Sequence, residues 1–184
     1  YKKLKNDIVL VLDDDILPKE NLINYSLLKL FDNYKKNTIF GLYSRSCNEK
    51  GYYFGNQTDY NKKPNIVLTP YIICKKKIIR DYVNQEVGFE KYKEWISLNK
   101  GNCEDLAFNL FVNEYYNELP IHIVGSAKSL DEKSGYSSSD NHWTKRKEFC
   151  EKYSKYPKSQ SFYSLSYFEK YYIYKILLKF YNSL

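Results

Sequence analysis

Residues 6–17, Asn-Asp-Ile-Val-Leu-Val-Leu-Asp-Asp-Asp-Ile-Leu, run five apolar residues, Ile8 to Leu12, into three adjacent carboxylates, Asp13, Asp14 and Asp15. An apolar run of that length reads as a strand covered on both faces, as in a parallel sheet. The carboxylates repel one another unless water or a cation lies among them. At strand spacing Asp13 and Asp15 point to one side and Asp14 to the other. Two oxygen donors on one side suit a hard divalent cation such as Mn²⁺ or Mg²⁺. The alternative is an acidic turn feeding the helix that follows, where negative charge suits the positive helix end. Both readings stay open on these residues.

A second group lies in Asn-Cys-Glu-Asp-Leu-Ala-Phe-Asn-Leu-Phe, residues 102–111. Asn102 is a good N-cap, and Asp105 falls three residues later, as in a capping box with Asp replacing Glu or Gln. The same spacing sets Glu104 and Asp105 at a helix start, where a carboxylate can orient or stabilise a polyhydroxyl substrate. Capping and catalysis are equally compatible with the spacing.

The elements that must position these residues alternate along the chain. Pro18 precedes a helical pattern from 19 to about 34, carried by Leu22, Ile23, Leu27, Leu30 and Phe31. Residues 37–45 read as the next strand, and 48–63, rich in Gly, Tyr and Asn, as a loop or hairpin. Residues 65–76 are a strand region bent at Pro70. Short helices are predicted over 78–83 and 89–98, then an amphipathic helix with Leu106, Leu110 and Phe111 on one face. A last strand, 120–124, leads into a flexible loop, 125–141. Residues 162–184 are helical in pattern, with Tyr167, Tyr171, Tyr174, Leu178 and Tyr181 as an aromatic packing stripe. Strands alternating with helices predict an α/β class with a mainly parallel mixed sheet flanked by helices.

Composition limits the partners. The 184 residues include 43% hydrophobic ones, enough for one core. The net charge of +7 is scattered over lysines such as Lys75 to Lys77 and those flanking Arg146, with no recognised nucleic-acid module. We therefore expect no nucleic-acid partner. No apolar stretch is long enough to span a membrane. Cys47, Cys74, Cys103 and Cys150 lack zinc spacing, and only His122 and His142 could assist them. With no methionine and Tyr1 at its start, the chain is expected to be part of a longer or processed product.

Taken in order, the apolar strand ending in Asp-Asp-Asp, the Phe-Gly-Leu-Tyr-Ser-Arg strand, the Val-Leu-Thr strand region and Asn-Cys-Glu-Asp-Leu-Ala-Phe-Asn-Leu resemble exostosin-like glycosyltransferases. His142-Trp143-Thr144-Lys145-Arg146 resembles a downstream segment of that group, and the likeness spans roughly residues 6–152. The group is glycosyltransferase family 64, with a GT-A fold. The resemblance implies a domain over 1–160, lacking part of the N-terminal nucleotide-binding half, with 161–184 a helical extension packed on it. It implies a retaining, Mn²⁺-dependent transfer, with Mg²⁺ as a substitute, of N-acetylglucosamine or N-acetylgalactosamine from a UDP-sugar to a glycan acceptor.

The resemblance also distributes roles. Asp15 and Asp13 would hold the metal, with Asp13 nearer the ribose, and Asp14, Arg45 and Glu104 would join Asp13 and Arg146 in binding substrate. Arg146 would reach the diphosphate, which suits a planar fork of donors. Asp105 would be the main catalytic carboxylate, with Asn102 holding the acceptor. Cys103 and Cys150 would form a disulfide fixing the Arg146 segment to the catalytic helix, in a secretory-pathway lumen (endoplasmic reticulum or Golgi). The glycosylation acceptors Asn24-Tyr25-Ser26 and Asn56-Gln57-Thr58 agree with that compartment.

Two other classes are separable. A non-catalytic carbohydrate- or partner-binding domain would not need Asp13, Asp15, Asn102, Asp105 and Arg146 together. A metal-dependent phosphohydrolase would want a further cluster of metal ligands. The substitution Asp105→Asn divides capping from catalysis. A cap should cost about 1 kcal/mol or less and spare turnover. A catalytic carboxylate should cost orders of magnitude in turnover with the melting temperature nearly unchanged.

Overall fold

The computed structural model describes residues 4–49, 51–54, 64–84, 90–123, 127–130 and 141–154. Its central sheet has four strands: β1 (Ile8–Leu12), β3 (Ile39–Gly41), β7 (Tyr71–Lys75) and β8 (Ile121–His122), in the order β1-β7-β3-β8. A ribbon pairs β2 (Ile16–Pro18) with β9 (Ala127–Ser129), and a second sheet holds β5 (Gly51–Phe54), β4 (Ser44–Asn48) and β6 (Ile66–Val67). The helices are α1 (Glu20–Asp32), α2 (Lys76–Asn84), α3 (Glu90–Leu98), α4 (Glu104–Tyr116) and α5 (His142–Tyr153).

Strand β7 shows why the apolar runs are continuous. Side chains alternate across a strand, and here Ile72 and Cys74 join Ile78, Phe108, Phe111 and Val112 from α2 and α4. Tyr71 and Ile73 join Leu22 and Leu30 from α1 on the other face. The α/β class is as expected, but the sheet is not mainly parallel. β7 is antiparallel to both β1 and β3, and only β3 and β8 run parallel. An apolar run records burial on two faces, and helices cover an antiparallel strand as well as a parallel one. β1 itself is half-buried along most of its length.

The predicted strand over 37–45 divides between two sheets, and the region 65–76 breaks at Pro70 into β6 and β7. Gly41 marks where the sheets touch, since a Cβ there would lie 2.5 Å from the Cβ of Val67. The expected hairpin is present as β4 and β5. α4 departs from its predicted amphipathic pattern: all eight residues from Asp105 to Val112 are buried. One side packs Leu106, Ala107 and Leu110 with Phe149 and Tyr92, and the other packs Phe108, Phe111 and Val112 on the central sheet. A helix enclosed on all sides loses its amphipathic signature. The acceptor serine of Asn24-Tyr25-Ser26 is buried on α1, with its hydroxyl donating to the Leu22 carbonyl. The Asn56 acceptor and the tail from 155 onward, including the predicted 162–184 helix, lie outside the described residues.

The disulfide differs from the expectation. Cys150 is bonded to Cys47, with Cα atoms 5.2 Å apart, and Cys103 is a buried free thiol. The reason is that the β4–β5 hairpin lies under α5, which brings Cys47 to the face of α5 that carries Cys150. Cys103 meets α5 earlier, with its thiol 3.8 Å from the Lys145 carbonyl oxygen. Burial pushes that thiol up to about 12, so it stays protonated. Bridging residues 103 apart should stabilise the fold by about 4–5 kcal/mol in the chain-entropy model, less any strain. Cys47→Ala and Cys150→Ala should therefore each lower the unfolding free energy by about 2–5 kcal/mol. Cys103→Ala should leave the cross-link in place. Denaturant unfolding together with non-reducing peptide mapping checks both, and a Cys103–Cys150 peptide would reverse the assignment.

Candidate active site

The site forms where α4, α5 and the end of β1 converge. Asp13 continues the β1–β7 ladder, its N–H donating to the Pro70 carbonyl at 3.2 Å. The chain then turns, with the Ile16 N–H reaching back to the Asp13 carbonyl at 3.2 Å. The three carboxylates thus occupy a tight turn between β1 and β2, so strand alternation does not set their directions. Even so, Asp15 and Asp13 both act on one group. Burial first, then the charges of Asp15 and Asp13, push the Tyr43 phenol up, while Arg45 opposes them. Asp13 is itself raised, first by burial and then by Asp15, Asp14 and Asp105. The turn and the start of α4 therefore share one electrostatic field.

Asp105 and Arg146 form the centre of the site. Arg146 Nη2 donates to Asp105 Oδ2 at 2.6 Å, and each residue is only 4% exposed. Asp105 Oδ1 accepts the Leu106 N–H at 2.8 Å. An i, i+4 spacing puts Arg146 on the same face of α5 as Cys150, so the bridge to Cys47 holds the turn of helix that presents the guanidinium. The neighbours of Arg146 point elsewhere: Lys145 pairs with Glu148 at 2.9 Å and Lys147 with Glu151 at 3.7 Å. The expectation tied the role of Arg146 to a Cys103–Cys150 bridge. The bridge goes to Cys47, and Arg146 meets Asp105 regardless.

The predicted capping box is absent. Cys103, in a left-handed conformation at φ 75°, occupies the N-cap position, with no side-chain cap bond. Asn102 instead donates to the His142 carbonyl at 3.2 Å, joining the starts of α4 and α5, and accepts from the Cys103 thiol at 3.6 Å. Burial and the Arg146 charge keep His142 below the usual histidine range. Glu104 is exposed at the rim as a whole residue, yet loss of solvent and the adjacent Asp105 push its carboxyl up to about 7. Arg146 pulls the other way and Asp13 adds to the rise. Beside it, the Tyr82 hydroxyl reaches the Glu104 carbonyl at 3.5 Å. Arg45, from β4, donates to the Ser44 carbonyl at 2.8 Å and lies close enough to Tyr43 to lower its phenol.

No group of three or more His, Cys, Asp or Glu side chains among the described residues is arranged to hold a metal ion. Asp13 and Asp15 provide hard oxygen donors only. That set fits a Mg²⁺- or Mn²⁺-type ion that takes its other ligands from substrate phosphates and water. Sequence reasoning missed Tyr43, Tyr82, Cys47 and Asn109, since none has a pattern that singles it out. No helix among the described residues is long and apolar enough to cross a membrane.

The sequence profile of the glycosyl transferase family 64 domain matches residues 1–169, and the chain belongs to that family. No curated protein matches the chain. Family membership makes this a glycosyltransferase domain, and thereby a transferase.

Two outcomes follow from the geometry. Asp105→Asn would leave the Arg146 charge buried without its carboxylate, a change that typically costs about 3–5 kcal/mol. The melting temperature should thus fall clearly, unlike the near-zero change expected from a catalytic role alone. The second concerns Glu104. Folded, its carboxyl holds a proton to about pH 7, against an ordinary value of 4.5. Between those values the folded state binds more protons, so this contribution to stability declines as pH rises from about 4.5 to about 7. Denaturation midpoints across that window should show the decline in wild type and its loss in Glu104→Gln.

Proposed function

We propose that the protein transfers an N-acetylhexosamine, N-acetylglucosamine or N-acetylgalactosamine, from a UDP-sugar to a glycan acceptor with retention of configuration. The observation that carries this reading is the buried Asp105–Arg146 pair, flanked by Glu104 and Asp13. A cation and a carboxylate held away from water interact strongly with charge that develops beside them. In this reading Arg146 faces the departing diphosphate, and Asp105 lies by the anomeric carbon and stabilises positive character there. The ion pair keeps Asp105 fixed in orientation before substrate arrives. Asn102 stands by the acceptor.

Asp15 and Asp13 would hold Mn²⁺, with Mg²⁺ as a substitute, and when bound the ion would supply positive charge against the diphosphate. Asp14 and Arg45 complete the nucleotide side, while Glu104 lies beside the hydroxyls of the substrates. A carboxyl raised to about 7 exchanges its proton near neutral pH, which suits a hydrogen-bonding role to a hydroxyl. The setting is a secretory-pathway lumen, where the Cys47–Cys150 bridge persists.

A panel of sugar nucleotides, tested on the full-length protein with and without a chelator, tests the donor and metal assignments together. Asp15→Asn should abolish transfer while the melting temperature stays near that of wild type, because the residue lies on a turn at a strand end and not in the core. Transfer by that variant with metal still required would remove Asp15 from the metal site.

A further inference from the structure

The buried side chain of Asn109 makes more hydrogen bonds than a helix-packing residue needs. It is 0% exposed, on α4 one turn after Asp105. Its Oδ1 accepts the Val67 N–H at 2.9 Å, and its Nδ2 donates to the Val67 carbonyl at 2.7 Å. Nδ2 also donates to the main-chain carbonyl of Asp105 at 2.7 Å. A side-chain amide is thus paired with a backbone peptide as a neighbouring strand would be. The reason lies in β6. On either side of Val67 the strand turns to β4: the Asn65 N–H donates to the Arg45 carbonyl at 2.9 Å, and the Leu68 N–H to the Tyr43 carbonyl at 2.8 Å. The groups of Val67 point the opposite way, and buried backbone groups must find partners. Asn109 meets both.

These bonds close a ring. Asp105 is ion-paired with Arg146 on α5, and α5 is bonded through Cys150 to Cys47 on β4. β4 carries Arg45 and is paired with β6, and β6 is clamped by Asn109 to the carbonyl of Asp105. Gly41 allows β6 to approach the central sheet closely enough for this, with no room for a Cβ against Val67. We propose that Asn109 is a positioning residue, which fixes Asp105 relative to the β4–β6 sheet that bears Arg45 and follows directly on Tyr43. It touches no substrate and acts through Asp105. The proposal rests on the transferase reading for its kinetic consequence, not for its mechanical one.

The test uses Asn109→Ser, which removes the paired amide, and Asn109→Asp, which keeps the volume and one acceptor but loses both donated bonds. Each is assayed well below its melting temperature and normalised to folded protein. Both should lower kcat about tenfold or more, with the donor KM within about twofold of wild type, the sign of an interaction that matters at the transition state. A lower melting temperature with kcat of the folded fraction within about twofold of wild type would reduce Asn109 to a packing residue. Hydrogen exchange on the wild-type protein provides an arm that needs neither variant to fold. The Val67 amide should open with the Leu106 and Ala107 amides, at rates within about threefold and with the same denaturant dependence. A Val67 amide exchanging about tenfold faster than those of α4 would overturn the clamp. If wild type transferred no sugar, the transferase reading would fall, and the exchange result would decide the clamp by itself.

Discussion

An arginine and an aspartate buried together at 2.6 Å constrain the rest of this molecule. Neither charge is tolerable away from water without the other, since the desolvation of each is several kcal/mol and only good geometry offsets it. α4 and α5 must therefore keep a fixed separation at the point where Asp105 and Arg146 meet. The surrounding contacts serve that separation: Asn102 bonds α4 to the first carbonyl of α5, Phe149 packs beneath with Leu106 and Leu110, and the disulfide draws α5 onto the β4–β5 hairpin. A hydrophobic pair would hold two helices as well or better, so the charges point to chemistry more than to stability.

The same constraint explains the electrostatics at the rim. Glu104 feels Asp105 and Asp13 against the single opposing charge of Arg146, an excess of negative charge. The excess falls on the groups that are partly removed from solvent and lack the arginine as a direct partner. Burial is the first cause and this excess adds to it: Glu104 and Asp13 rise, and Tyr43 and Tyr82 rise with them. Such a cluster favours a ligand that brings positive charge, or a cation and an anion together.

Burial on two sides has a structural cost in legibility. α4 carries the site carboxylates, and its central residues are apolar whichever way they face, because the helix is enclosed by α3 and α5 on one side and the sheet on the other. Its only fully buried polar side chain besides Asp105 is Asn109, which completes the hydrogen bonding of β6. A helix so placed moves only with its neighbours. The fold thus gains rigidity where the candidate site lies.

The residues by themselves determined the identities at the site: Asp13 to Asp15 after an apolar strand, and Glu104 and Asp105 at the start of a helix. They also determined most element positions, since local periodicity and the stop at Pro70 act over a few residues. The likeness to a known family, spread over five segments, carried Arg146, and the structure brings it to Asp105. What depended on distance in space was not legible. Strand direction was one case, because two-faced burial is the same for parallel and antiparallel neighbours. The partner of Cys150 was another, because a cysteine has no sequence mark of which thiol will face it, and the hairpin under α5 decided for Cys47. Spacing left Asn102 open between a helix cap and a functional role, and the approach of α5 gives its amide the His142 carbonyl as acceptor. Asn109 had no mark in the sequence at all, and its role depends on β6 lying beside it with two peptide groups to satisfy. Local order follows from nearby residues, whereas pairing energies are settled only when distant segments are packed together.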